Sequence, residues 1–439
     1  MSLSAQRRHD LLDALRRGTV PQSSLDVLAV GLEPFETALQ SELDTAARGG
    51  AVFKAVRGEY GSGKTFLARW LQEAGRRRRF ASAEVQISET ETPLHRVETV
   101  YRRLMERLST AAVSSGALRS VVDGWFFALE QDVLAEGVIS EADSAGLLAR
   151  TNELMEQRLA GITRTAPGLA AALRGYRAAV AAGERAVADG LVAWISGQPN
   201  VGAATKRYAG IKGDIDHFGA LSALQALLVM LRDSGHAGLV AVLDEVETLQ
   251  RMRGDVRDRS LNALRQLIDE VDAGRFPGLY LLITGTPAFF DGPQGISRLT
   301  PLAQRLHVDF TTEARFDNPR AVQIRLRGFT HDRLMELGRK VRDIFAEGSS
   351  HSERIRSVVD DPYLHDLANA VTGSLGGKVG VVPRLFLKKL VVDILDRVDQ
   401  FPDFDPRRHY TLTIASRELT PAERSARGAS SPDEVEIEL

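Results

Sequence analysis

Ala51-Val-Phe-Lys-Ala-Val56-Arg-Gly58-Glu-Tyr-Gly-Ser-Gly63-Lys64-Thr65 is the stretch from which the rest of the chain can be read. Residues 51–56 read as a buried strand, and Thr65 to Ala74 as a helix. Strand, glycine-rich loop and helix in that order, with the pattern GxxxxGK[ST] from Gly58 to Thr65, make a phosphate-binding loop. The glycines let successive backbone N–H groups turn toward one anion without Cβ atoms in the way. The positive end of the following helix adds to that field. Lys64 offers a mobile cation to β- and γ-phosphates. Thr65 offers a hydroxyl to Mg²⁺, which keeps several waters and takes few protein ligands. The loop residues expected around ATP are therefore Gly58, Glu59, Tyr60, Gly61, Ser62, Gly63, Lys64, Thr65 and Phe66.

Further along, Leu239-Val-Ala-Val-Leu-Asp244-Glu245 is an apolar strand ending in two adjacent carboxylates. Open α/β sheets bind ligands at that edge. Asp244 is suited to orient Mg²⁺ together with Thr65, and Glu245 to polarise an attacking water. Adjacent Asp-Glu favours hydrolysis over transfer of phosphate to a metabolite. Glu247 reads as a solvated residue at a helix start. Tyr280-Leu-Leu-Ile-Thr284-Gly-Thr286 is a second buried strand, ending in hydroxyls; Thr284 or Thr286 can sense the γ-phosphate. Arg305, with Arg298 as its competitor, is placed to reach a neighbouring subunit's nucleotide. Arg384, in Val381-Val-Pro-Arg384, opens a helix that can fold over the nucleotide as a lid. The run Arg76 to Arg79 ends the loop helix, where cations are favoured; a nucleic-acid contact is the other reading.

At 439 residues the chain is too long for one ordinary core. Alternating strands and helices predict an α/β fold with a parallel sheet covered on both faces. The expected units are N-terminal helices over 1–50, an ATPase core over 51–109 and 216–315, an all-helical insertion over 110–215, a helical lid over 316–400, and a C-terminal segment, 401–439, with a disordered acidic tail. The insertion includes one helical pattern from Leu169 to Val187. Leu306 to Phe310 reads as the last strand, and Gly373 to Gly380 as a break within the lid.

Composition narrows the function classes. The formal net charge is −2, which argues against a uniformly basic nucleic-acid binder but leaves room for a local patch. There is no cysteine, so disulfides, thiolate zinc sites and cysteine nucleophiles are excluded, and a cytoplasmic setting is expected. No apolar stretch approaches the ~20 residues of a membrane span. The nine histidines show no HExxH-type spacing.

The order of these motifs resembles the AAA+ superfamily, in its branch near origin-recognition and STAND-type ATPases. Val30-Gly31-Leu-Glu33 looks like the element that seats adenine there. Thr284 or Thr286, Arg305 and Arg384 fall where its sensor 1, arginine finger and sensor 2 would lie. Four stretches are similar to the BrxC/BrxD-type ATP-binding proteins of bacteriophage exclusion (BREX) systems, and the short length looks most like BrxD: Ala14-Leu-Arg-Arg-Gly-Thr-Val-Pro21, the loop from Phe53 to Thr65, Ala83-Glu-Val-Gln-Ile-Ser-Glu-Thr-Glu91, and Leu243-Asp-Glu-Val-Glu-Thr-Leu249. The resemblance implies a cytoplasmic anti-phage ATPase working beside a helicase and other BREX components. Homo-oligomers, DNA and partner proteins are the expected associations. A nucleotide-gated scaffold with little turnover is the alternative.

Overall fold

The computed structural model describes residues 3–140, 142–160, 166–374 and 383–414. Five parallel strands, β1 (Val52–Arg57), β2 (Phe80–Gln86), β3 (Gly238–Asp244), β4 (Leu279–Gly285) and β5 (Gln323–Arg325), lie in the order β2-β3-β4-β1-β5. β3 and β4 are buried along their whole length, as central strands covered on both faces must be. Alternation then decides which neighbour each residue meets. Val240, Val242, Tyr280 and Leu282 face α2 (Glu33–Ala47) and α3 (Lys64–Arg77), packing on Leu39, Leu43, Leu67 and Leu71. Leu239, Ala241, Leu243, Leu279 and Leu281 face the other way, onto α4 (Val97–Arg107) and the helices His217–Asp233 and Gly254–Asp272.

The described part of residues 110–215 is built of helices that share this second core. Leu118–Ala135, Ser144–Arg158, Pro167–Ala181, Arg185–Ile195 and Ala203–Ala209 enclose Trp125, Leu173 and Leu191. Trp125 is fully buried, and its indole N–H reaches Asp233 at 3.0 Å, tying the segment to the sheet-covering helix. The pattern expected as one helix over Leu169 to Val187 is broken at Gly183, whose φ of +74° no helix accommodates.

A third core joins α1 (Ala5–Arg16) to the C-terminal helices. Leu11, Leu12 and Leu15 pack on Leu334, Val341, Leu364, Phe386 and Leu390, and Arg16 forks onto Asp396 at 2.8 and 3.0 Å. The strap after α1 is divided: Leu25 and Leu32 belong to the sheet core, while Leu28 and Val30 belong to the C-terminal core. Residues 3–50 therefore feed two cores, and Val30-Gly31 sits on the seam between them.

Two expectations are corrected. Leu306 to Phe310 is not a strand. Thr300–Leu306 is a helix, and the edge beside β1 is taken by β5 at Gln323–Arg325, so the sheet recovers residues expected in the lid. Phe310 instead lies between two guanidiniums, 4.9 Å from Arg57 and 5.0 Å from Arg325, a contact that alternation alone cannot reveal. Most of the Gly373 to Gly380 break, and the 420–439 tail, lie outside the described residues.

Candidate nucleotide-binding site

A cleft of about 570 Å³ opens at the C-terminal ends of the strands, between the sheet and the C-terminal helices. That is the size of a small-ligand site, roughly 300–1,000 Å³. Of the residues predicted to serve the nucleotide, all but Glu33, Gly58, Glu59, Thr284, Thr286, Arg298 and Arg305 line it.

The loop is built by its glycines. Gly61 and Gly63 have φ of +79° and +94°, and Gly63 begins α3. At Gly58 the constraint is contact: a Cβ would stand 2.3 Å from Ser62 Oγ and 3.1 Å from the Leu326 carbonyl. Ser62 Oγ is buried with no hydrogen-bond partner. Lys64 Nζ donates to the carbonyls of Gly58 (2.7 Å) and Glu59 (3.1 Å) and lies 5.3 Å from the Tyr60 ring centre. Burial holds the Lys64 ammonium below its usual pKa, against the pull of the surrounding carboxylates.

Strand order brings the acids opposite. Because β4 lies between β1 and β3, with Val56 beside Thr284 and Leu243 beside Ile283, Thr284 arrives next to Asp244. Asp244 Oδ2 accepts from Thr65 Oγ1 at 2.9 Å, and Oδ1 accepts from the Thr284 hydroxyl. The Glu245 N–H is shared by Asp244 Oδ1 and Thr284 Oγ1, each at 3.2 Å. Thr286 is buried at the start of helix Pro287–Asp291, away from the cleft lining. Glu245 itself has φ of +59°, and its Oε2 accepts from Gln86 Nε2 at 2.6 Å.

The donor set suits a triphosphate with a hydrated divalent cation. Backbone N–H groups of the glycine-built loop, the Lys64 ammonium and the orphaned Ser62 hydroxyl would serve phosphate oxygens, and Thr65 and Asp244, already hydrogen-bonded to each other, would share the ion.

Glu247 was expected in solvent and is not there. The turn Val246–Arg251 buries it, leaving both carboxylate oxygens without a hydrogen-bond partner on the cleft wall. Burial pushes its pKa up to about 7, Lys64 pulling the other way and Glu245 and Asp244 adding to the rise. A carboxyl raised in the folded state favours folding while protonated, so stability is lost as pH climbs from its ordinary value of 4.5 through about 7. Glu247→Gln is expected to remove that slope. Relative to wild type, the variant should gain on the order of 3 kcal/mol between pH 5 and pH 8 in urea unfolding. Parallel pH profiles for the two proteins would refute this.

The remaining predicted arginines divide. Arg384 lines the cleft near Gly18. Arg305 lies outside it, paired with Asp269 (2.8 Å) and Asp272 (2.9 Å) of helix Gly254–Asp272; Arg298 pairs with Asp258 at 3.0 Å. Arg76, Arg77 and Arg78 engage Ser82, Asp26 and Asp44, so most of that run is occupied within the chain. Sequence reasoning missed Gln86 and the buried state of Glu247. The end of the alternating strand marked Gln86's position; no local signal marked Glu247.

Among the described residues there is no helix long and apolar enough to cross a membrane, and no cluster of three or more His, Asp or Glu arranged for a metal. Comparison with curated proteins gives no match. Residues 3–414 match the family model described as "BREX system ATP-binding protein BrxC/D", and the chain belongs to that family of ATP-binding proteins.

Proposed function

We propose that this protein binds ATP with Mg²⁺ and hydrolyses it, as an AAA+-like, BrxD-type component of anti-phage defence. The observation that carries the reading is the clamp on Asp244, whose two oxygens are held by Thr65 and Thr284 beside Glu245 and across from Lys64. In this reading Gly58 to Phe66 hold the phosphates and Val30-Gly31 the adenine. Thr65 and Asp244 position Mg²⁺, which supplies charge neutralisation at the β- and γ-phosphates. Glu245 takes the proton of the attacking water, Thr284 fixes Asp244 and the Glu245 backbone, and Arg384 closes from the lid side.

Arg305 acts in this scheme only on a neighbour's site, since its own cleft is out of reach, and doing so requires release from Asp269 and Asp272. The proposal therefore includes a nucleotide-dependent homo-oligomer, with DNA and a helicase-like BREX partner as further associations. A second reading, a nucleotide-gated scaffold with little turnover, is favoured by the Gln86 bond, which occupies the Glu245 carboxylate. Phosphate release measured with and without DNA, beside light-scattering mass with and without ATP·Mg²⁺, separates the two. Turnover that stays at background under every condition would remove the hydrolysis reading.

Thr284→Val tests the clamp. The swap keeps shape and deletes the hydroxyl that serves Asp244 and Glu245. A loss of about 1–3 kcal/mol in unfolding free energy is expected from deleting a hydrogen bond to the Asp244 carboxylate, whose Oδ1 keeps only the longer bond from the Glu245 N–H. Turnover should fall at least about tenfold with it, as a misplaced Asp244 and Glu245 predict. Unchanged turnover would exclude Thr284 from the machinery.

A further inference from the structure

Five arginines line the cleft: Arg315, Arg325, Arg327, Arg333 and Arg384. Three are engaged elsewhere. Arg315 pairs with Glu313 at 2.7 Å, Arg325 forks onto Asp317 at 2.7 and 2.9 Å, and Arg384 has a contact of its own. The guanidiniums of Arg327 and Arg333 have neither hydrogen bond nor ion pair among the described residues. Both sit on one connector, from the end of β5 into helix His331–Ala346.

That connector runs along the cleft. At one end the Leu326 N–H donates to the Arg57 carbonyl at 2.8 Å, and the Leu326 carbonyl stands 3.1 Å from where a Cβ on Gly58 would be. Arg327 thus starts beside the first residue of the phosphate loop. Midway, the Phe329 ring comes within 3.7 Å of the Cβ position of Gly63. At the other end the Arg333 guanidinium covers Gly31: Cζ, Nε and Nη1 lie 2.6, 2.7 and 2.9 Å from the Cβ position there. Gly31 also has φ of +74°, so the backbone favours glycine, and a Cβ there would have to displace the Arg333 guanidinium. The connector spans from the phosphate end of the site to Val30-Gly31.

We propose that residues 326–333 form the ligand-reading strap of this cleft, with Arg327 contacting the terminal phosphate within the same subunit and Arg333 walling the base slot. The inference rests on the reading of the cleft as an ATP site. A guanidinium left without an acid, one residue from the phosphate loop, is free to fork onto phosphate oxygens. A guanidinium plane held over glycine offers its other side for stacking on a base.

Titration calorimetry with Mg²⁺ and ATP, AMP or inorganic tripolyphosphate tests both halves. Arg327 is exposed, so Arg327→Ala is not expected to disturb folding. It should weaken ATP and tripolyphosphate by about 10- to 100-fold, as loss of a charged hydrogen bond predicts, and leave AMP unchanged. Arg327→Lys should recover only part of the loss. Arg333→Ala should weaken ATP and AMP together by about 3- to 10-fold and leave tripolyphosphate unchanged, at a melting temperature matched to wild type. An ATP-to-AMP affinity ratio unaltered by Arg327→Ala, or equal weakening of ATP and tripolyphosphate by Arg333→Ala, overturns the proposal while ATP binding stands. Wild-type protein that binds no ATP would remove the ATP reading and this inference together.

Discussion

Glu245→Gln lowers ATP turnover by about 10²- to 10⁴-fold, the range that a positioned general base contributes, while ATP affinity changes little. The glutamine keeps the size of the side chain and the hydrogen bond to Gln86, and removes only the basic carboxylate. The geometry makes this a sharp test. Glu245 is a non-glycine residue with φ of +59° and ψ of +44°, a conformation that costs an L-residue about 1–2 kcal/mol. Its N–H is fixed by Asp244 and Thr284, so the strained residue is held by the groups it would work beside. Single-turnover and steady-state phosphate release for the two proteins check the prediction. Equal rates in both would show that this carboxylate is not the base.

Lys64→Ala is expected to weaken ATP binding by at least about 100-fold and to abolish turnover, with the fold intact. An ammonium bonded to β- and γ-phosphate oxygens contributes roughly 1.5–3 kcal/mol per contact, and the truncated side chain replaces neither. The fold should survive because Lys64's own protein contacts are two loop carbonyls, and its burial already disfavours the charge. Calorimetric titration with ATP·Mg²⁺ and a thermal melt of the apo protein give the two readouts. Unchanged affinity would mean that the loop is not the phosphate site.

The two variants also separate roles. Lys64→Ala should lose binding and turnover together, whereas Glu245→Gln should keep binding and lose turnover. A scaffold with negligible hydrolysis would show the first pattern in binding and no difference in the second.

Local chemistry explains what could be read along the chain. Gly58 to Thr65 stands out as the candidate phosphate loop because such a loop needs glycines, an ammonium and a hydroxyl within one turn of backbone. Asp244-Glu245 declares itself because a run of apolar residues ending in acids is costly anywhere but at a strand's C-terminal edge. Even the helical character of the described segments between 118 and 195 follows from local periodicity. What failed was of another kind: Leu306 to Phe310 alternates like a strand, and only competition for the β1 edge shows that Gln323–Arg325 wins it.

The sequence by itself determined the glycine-rich loop between strand and helix, the acidic strand end, the α/β alternation and the helical character of the described insertion, though not every helix boundary, because each is written in the spacing of neighbouring residues. Only the tertiary structure decided that Thr284 rather than Thr286 touches Asp244, that Glu247 is buried without a partner, that Arg305 lies outside its own cleft, and that Arg327 and Arg333 reach it without acids. The physical reason is that burial and pairing depend on residues far apart in the chain, and strand order, not local pattern, chooses which of them meet.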